Sequence, residues 1–307
     1  MSHDTKTNEL QKKEIKFIAN KKQACLSIRQ FTLDMMVPHG AIVMIAKRGS
    51  GKSWIVRAIL DFYRDIPVGI IISPTDRMNS YYADFFPDSY IYYEYKSETI
   101  ERIMSRQQMI IDKAKEKEKI GKKIDTRSYV VMDDCLGQKG KWVRDPPIQE
   151  MLFNGRHYHI MYILTMQQPL GITPELRNNF DYVFLLANDK LVEMKKIWEH
   201  YAGIFPTFYS FQQVFSELTA DYGSMVISNR GANITFEHKV FYYKAPNLAN
   251  TKSLMGCKQF RDYHTNNFND NWRIHGKKFN AIEFMEKRGK SKGKIAIEKV
   301  GTYQQKK

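Results

Sequence analysis

Two short stretches of this chain combine residue types and spacings that suit phosphate chemistry. The first runs Ala46, Lys47, Arg48, Gly49, Ser50, Gly51, Lys52, Ser53, Trp54, between an apolar run (AIVMI) and a helix-like one (WIVRAIL). Glycines there let backbone N–H groups turn inward and approach a triphosphate closely. A helix starting at the same point adds the positive end of its dipole. In that setting Lys52 is expected to reach the β- and γ-phosphates of ATP, and the Ser53 hydroxyl to ligate Mg²⁺. All of Ala46 to Trp54 is the candidate nucleotide-binding segment. The pattern G-x-x-x-x-G-K-[ST] asks for glycine where this chain has Ala46. That residue falls at a strand exit, where a small Cβ fits if φ is negative.

The second stretch is Asp133-Asp134, closing the apolar run SYVVM. Parallel strands align their C-terminal ends, so this pair should lie beside the phosphate loop. Asp133 is expected in the Mg²⁺ shell, and Asp134 is expected to orient or deprotonate the attacking water. Gln167, at the end of LTMQQP, is a candidate contact to the γ-phosphate or that water. Arg156 stands at the opposite end of the same strand, roughly 25 Å away at ~3.3 Å per residue. It therefore cannot easily reach its own chain's nucleotide, and as a catalytic group it would act on a neighbouring subunit. A local ion pair is the competing role for Arg156, and Arg177 in PELRNN is the competing finger. His157 and His159 stand at what reads as a strand start, and no shared metal is expected there.

The elements that must position these groups follow from hydrophobic pattern. AIVMIA, IPVGIIIS, SYVVMDDCL, HIMYILTMQQ and FDYVFLL read as buried strands, apolar throughout rather than alternating. WIVRAILDFYRD and SETIERIMSRQQMIIDKAKEKEKIGKK read as helices, and PPIQEMLFNG as a short one with proline at its start and Asn154-Gly155 as its C-cap. Strands alternating with helices predict a right-handed α/β sheet. The chain has 307 residues and a formal net charge of +15, which favours polyanionic partners, nucleic acid before a membrane surface. Cys25, Cys135 and Cys257 form neither a disulfide framework nor a zinc pattern. The N-terminus lacks an apolar secretion signal, and no run approaches the ~20 apolar residues of a membrane span, so a soluble intracellular protein is expected. The domain reading is a polar extension over 1–29, an ATPase core over 30–245 and a basic extension over 246–307, flexible in its last part.

Taken together, AKRGSGKS (46–53), VVMDDC (130–135), NGRHYHI (154–160), LTMQQPLGITPELRNNFDYVFLL (164–186), YGSMVISNR (222–230) and VFYYKA (240–245) resemble a known family. They are similar to the genome-packaging ATPases of nucleocytoplasmic large DNA viruses, the poxvirus-type branch of the FtsK–HerA superfamily. The resemblance covers about residues 30 to 245. It implies an α/β fold, a three-layer P-loop NTPase core (ASCE/RecA-like) with a mostly parallel central sheet. It implies an ATPase that drives double-stranded DNA into a preformed capsid as a homo-oligomeric ring, pentamer or hexamer, with capsid or portal proteins as further partners. ATP and Mg²⁺ are the implied cofactors, and the virion or the host cytoplasm (viral factory) the implied location. Lys52, Ser53, Asp133 and Asp134 would be the nucleotide and magnesium residues, Gln167 the γ-phosphate sensor and Arg156 the trans finger. The competing functions are another P-loop enzyme, a helicase or nucleoside kinase, and a nucleotide-switched DNA-binding scaffold.

Overall fold

The computed structural model describes residues 15–16, 26–138, 142–231, 235–251, 254–280, 282 and 284–286. Ten strands form its sheet: β1 Ile15–Lys16, β2 Ser27–Gln30, β3 Ala41–Ile45, β4 Val68–Ile72, β5 Ile91–Tyr92, β6 Ser128–Asp133, β7 Ile160–Met166, β8 Tyr182–Leu186, β9 Ser224–Ser228 and β10 Val240–Tyr243. Their spatial order is β1-β2-β10-β9-β8-β3-β7-β6-β4-β5. From β8 through β3, β7, β6 and β4 to β5, all neighbours are parallel. The five apolar runs read from the sequence are β3, β4, β6, β7 and β8, five of the six strands of this parallel part. β9 is antiparallel to both β8 and β10, and β2 adds in parallel beyond β10.

Burial on both faces explains why the parallel strands are apolar at every position. Along β3, Val43 and Ile45 pack on one face, and Ile42 and Met44 on the other. Val130 and Met132 of β6 divide from Tyr129 and Val131 in the same way. The helix Lys52–Phe62 covers one face with Ile55, Val56, Ile59 and Leu60. The other face is covered by Ser97–Glu118 through Ile100, Ile103 and Met104, by Pro146–Asn154, and by Leu191–Tyr201 and Phe208–Leu218. The result is a mixed α/β fold of three layers.

Two local readings change in the structure. His157 and His159 precede β7 in a turn rather than starting the strand, and His159 has φ 54°. Gly155 does follow Asn154 at the end of its helix, but with φ −54°, so no left-handed cap requires it. A Cβ there would lie 2.3 Å from the Met151 carbonyl oxygen, and that close approach is what glycine permits. Beyond residue 245, Met255 and Phe260 join the same buried cluster as the helix Lys52–Phe62. Helices Lys258–Asn267 and Trp272–His275 follow. Lys278 donates to the Asp88 carboxylate at 2.7 Å and lies over the rings of Tyr93 and Trp272. The basic tail from 287 onward and most of 1–29 lie outside the described residues.

Candidate active site

The phosphate-loop segment leaves β3 and enters the helix Lys52–Phe62. Gly49 and Gly51 have φ of 75° and 93°, a region closed to most side chains, so both glycines are needed for the turn. The Ala46 N–H donates to the Met166 carbonyl at 2.9 Å, extending the β3–β7 ladder by one bond. Its side chain is buried in the core and its φ is not positive, so a methyl group fits where the usual pattern has glycine. Ser50 is also turned away from the site: its hydroxyl donates to the Lys47 carbonyl at 2.7 Å.

β7 lies between the strand that carries the loop and the strand that ends in the two acids. Asp133 therefore reaches across a whole strand to the loop. Lys52 Nζ lies 3.3 Å from Asp133 Oδ1, and both side chains are largely buried. β7 contributes the groups that hold the acids. Thr165, paired in register with Asp133, donates to Asp133 Oδ1 at 2.6 Å and accepts from the Asp134 N–H at 3.0 Å. Asp134 stands at φ 55°. That left-handed backbone turns its carboxylate onto Gln167 Nε2, which donates to both oxygens at 2.7 Å.

Lys52, Asp133, Asp134 and Gln167 line one cleft of about 840 Å³ with Lys47, Arg48, Gly49, Gly51, Ser53 and Trp54. Ala46 and Ser50 are not among its walls. Further wall groups come from the end of β4, Ser73, Thr75 and Asp76, and from Tyr81 and Tyr82. The Tyr81 hydroxyl donates to the Ser53 carbonyl at 3.0 Å. Asp76 is buried; its Oδ1 accepts from the Tyr82 N–H at 2.8 Å, while its Oδ2 has no hydrogen-bond partner among the described residues. Burial raises the Asp76 carboxyl above the usual carboxylate range. Sequence reading passed over Thr165 and Asp76. Their signals were a hydroxyl inside the apolar run ILTM and the polar S-P-T-D directly after a buried strand.

Arg156 is not part of this cleft. It sits in the turn before β7, ion-paired with the buried Asp181, which also holds Arg230 at 3.2 Å. Arg156 lines a separate cleft of about 190 Å³ with His39, Gly155 and His157. Arg177 closes the short helix Pro174–Arg177, with its guanidinium over the Tyr201 ring at 5.8 Å. Within one chain, then, the fold brings together Lys52, Ser53, Asp133, Asp134 and Gln167, and leaves both candidate fingers outside.

The donor set suits a hard cation. Mg²⁺ keeps several waters and takes the rest of its shell from phosphates, so one carboxylate and one hydroxyl are sufficient protein ligands. Asp133 and Ser53, both walls of this cleft, offer that pair.

The model of the family described as "Poxvirus A32 protein" matches residues 30–198. An uncharacterized protein of Acanthamoeba polyphaga mimivirus is 49% identical over 242 residues, 79% of this chain and 84% of its own length. An uncharacterized protein of Invertebrate iridescent virus 6 is 32% identical over 239 residues, covering 75% of this chain and 87% of that protein. Among solved structures, the genome packaging NTPase B204 from Sulfolobus turreted icosahedral virus 2 in complex with ATP-gammaS is similar. It has 15% identity and a TM-score of 0.48, over 68% of this chain and 98% of that one.

Proposed function

The chain belongs to the poxvirus A32 protein family of packaging ATPases, and from that premise we propose that it hydrolyses ATP to translocate double-stranded DNA into a capsid, as a homo-oligomeric ring. It is an ATPase. The observation that carries the reading is the pairing of Lys52 with Asp133 beside the Gln167–Asp134 hydrogen bonds, in one cleft at the C-terminal edge of a parallel sheet.

In this reading the backbone N–H groups around Gly49 and Gly51 cradle the phosphates. Lys52 turns from Asp133 to the β- and γ-phosphates when nucleotide enters. Asp133 and Ser53 would then hold Mg²⁺, which supplies positive charge against the phosphate oxygens. Asp134 accepts a hydrogen bond from the attacking water and takes its proton as the γ-phosphoryl group leaves. Gln167, bonded to that carboxylate, senses whether the γ-phosphate is present. Arg156 stabilises the transferring group of a neighbouring subunit, for which it must leave Asp181. The +15 charge suits a machine that grips phosphates without reading bases.

Steady-state ATP hydrolysis, measured with and without long duplex DNA, tests this. Stimulation by DNA, with activity confined to an oligomeric fraction, is the expected result. A monomer hydrolysing ATP at full rate with DNA present would overturn the ring. Turnover indifferent to DNA would overturn the translocase.

A further inference from the structure

The phosphate loop divides the crevice at the C-terminal edge of the sheet into two unlike halves. On the β7–β6–β4 side stand the polar and acidic groups Gln167, Asp134, Asp133 and Asp76. On the β8–β9–β10 side stand Tyr222 and the strip 244–249, which runs on from the end of β10. β9 is antiparallel, so its N-terminal end, with Tyr222 just before it, reaches the same edge. A triphosphate with its γ-end toward the acids must direct its nucleoside to this second half.

Tyr222 is the notable group there. It is 65% exposed, so its ring gains little from burial in the chain itself. Yet its placement is tightly set. Asp221 and Tyr222 adopt consecutive left-handed conformations, with φ of 46° and 60°, which β-carbon-bearing residues rarely take. Asp221 is ion-paired with Lys244, and the buried Ser224 hydroxyl donates to the Tyr243 carbonyl at 2.9 Å, tying the start of β9 to the end of β10. Arg57, from the helix after the loop, holds the chain just past the strip through the Thr251 carbonyl at 2.9 Å. The Tyr222 ring comes close to the loop itself: a Cβ on Gly51 would stand 3.5 Å from Tyr222 Cδ1.

We propose that Tyr222, fixed against the phosphate loop and facing the strip 244–249, is the stacking platform for the purine base of the bound nucleotide. The inference rests on the ATPase reading of the same cleft. A flat aromatic face offers stacking to any purine, so ATP and GTP should bind with similar affinity.

Equilibrium binding of ATP and of inorganic tripolyphosphate to the full chain tests it, with Tyr222→Ala, Tyr222→Phe and Lys52→Ala. Base–aromatic stacking lost on substitution by alanine is worth about 1–3 kcal/mol, or about 5- to 150-fold in affinity. Tyr222→Ala is expected to weaken ATP by that factor, leave tripolyphosphate unchanged and raise KM more than it lowers kcat. Tyr222→Phe should restore ATP binding. Equal loss of both ligands in Tyr222→Ala would make Tyr222 a support for the loop and overturn the proposal. Unchanged ATP binding would place the base elsewhere and overturn it as well. A wild-type chain that binds neither ligand, or a Lys52→Ala chain that binds both normally, would instead overturn the reading of the cleft.

Discussion

At the scale of single residues, the site turns on two charged side chains with different duties. Lys52 is held in the folded chain by Asp133, and in the proposed reading it exchanges that carboxylate for phosphate oxygens. Lys52→Ala is expected to lower ATP turnover at least about 100-fold, the order attached to removing one group that stabilises transition-state charge. Circular dichroism would verify that the variant, which leaves Asp133 buried without its cation, still folds. Asp134 has the other duty. Asparagine tolerates the left-handed backbone that Asp134 adopts, so Asp134→Asn preserves the turn while removing the proposed base. We expect kcat to fall about 10²- to 10⁴-fold with KM nearly unchanged, read from initial rates over a range of ATP concentration. Ala46 shows how a residue can stand in a phosphate-loop motif and serve the core. Ala46→Gly should leave KM for ATP unaltered and lower unfolding free energy by about 0.5–1 kcal/mol, measured by urea denaturation.

At the scale of elements, close packing between strands sets what the sheet tolerates. Gly69 on β4 has an ordinary backbone, but a Cβ there would lie 2.4 Å from the buried ring of Tyr129 on the neighbouring β6. Gly69→Ala therefore overpacks the face that carries the helix Lys52–Phe62. A loss of about 1–3 kcal/mol in urea denaturation is the expected outcome. At the N-terminal edge of the parallel strands, the segment before β3 and the turn before β7 meet through His39 and His159, whose rings stack 4.8 Å apart. Burial, then the neighbouring His159 and Arg127, lowers the His39 pKa from 6.5 to about 4, against the opposing pull of Asp125. Above pH 6.5 His39 is neutral whether the chain is folded or not. Between pH 6.5 and about 4 only the unfolded chain takes up this proton, so stability is lost as pH falls through that window. His39→Gln should flatten this part of a melting-temperature profile; an unchanged profile would mean that other groups cause it.

At the scale of the whole molecule, the two ends of the sheet divide the proposed work. Nucleotide groups gather at the C-terminal edge, while Arg156 waits at the other, paired with Asp181. If a ring brings these edges together between subunits, two inactive chains can complement each other. Mixtures of Arg156→Ala and Lys52→Ala chains would then regain part of the ATPase rate, because some interfaces combine an intact loop with an intact finger. Absence of rescue at every ratio would remove Arg156 from the trans role and leave its ion pair with Asp181 as its whole function.

Much of this was legible from residue order alone, for a physical reason. A strand buried on both faces must be apolar throughout, a phosphate turn needs glycines at left-handed positions, and the chemistry-bearing residues of a parallel sheet fall where its apolar runs end. AIVMI, SYVVM and LTMQQ therefore announced both the layers and the tips that matter. What residue order could not supply was lateral arrangement. Nothing local says that β7 inserts between β3 and β6, or that β9 runs antiparallel, since strand order is decided by which faces pack and how the crossovers turn. That arrangement lets Thr165 clasp Asp133 and Asp134, brings Asp76 into the wall of the site, and sets Tyr222 against the loop from about 170 positions further along the chain.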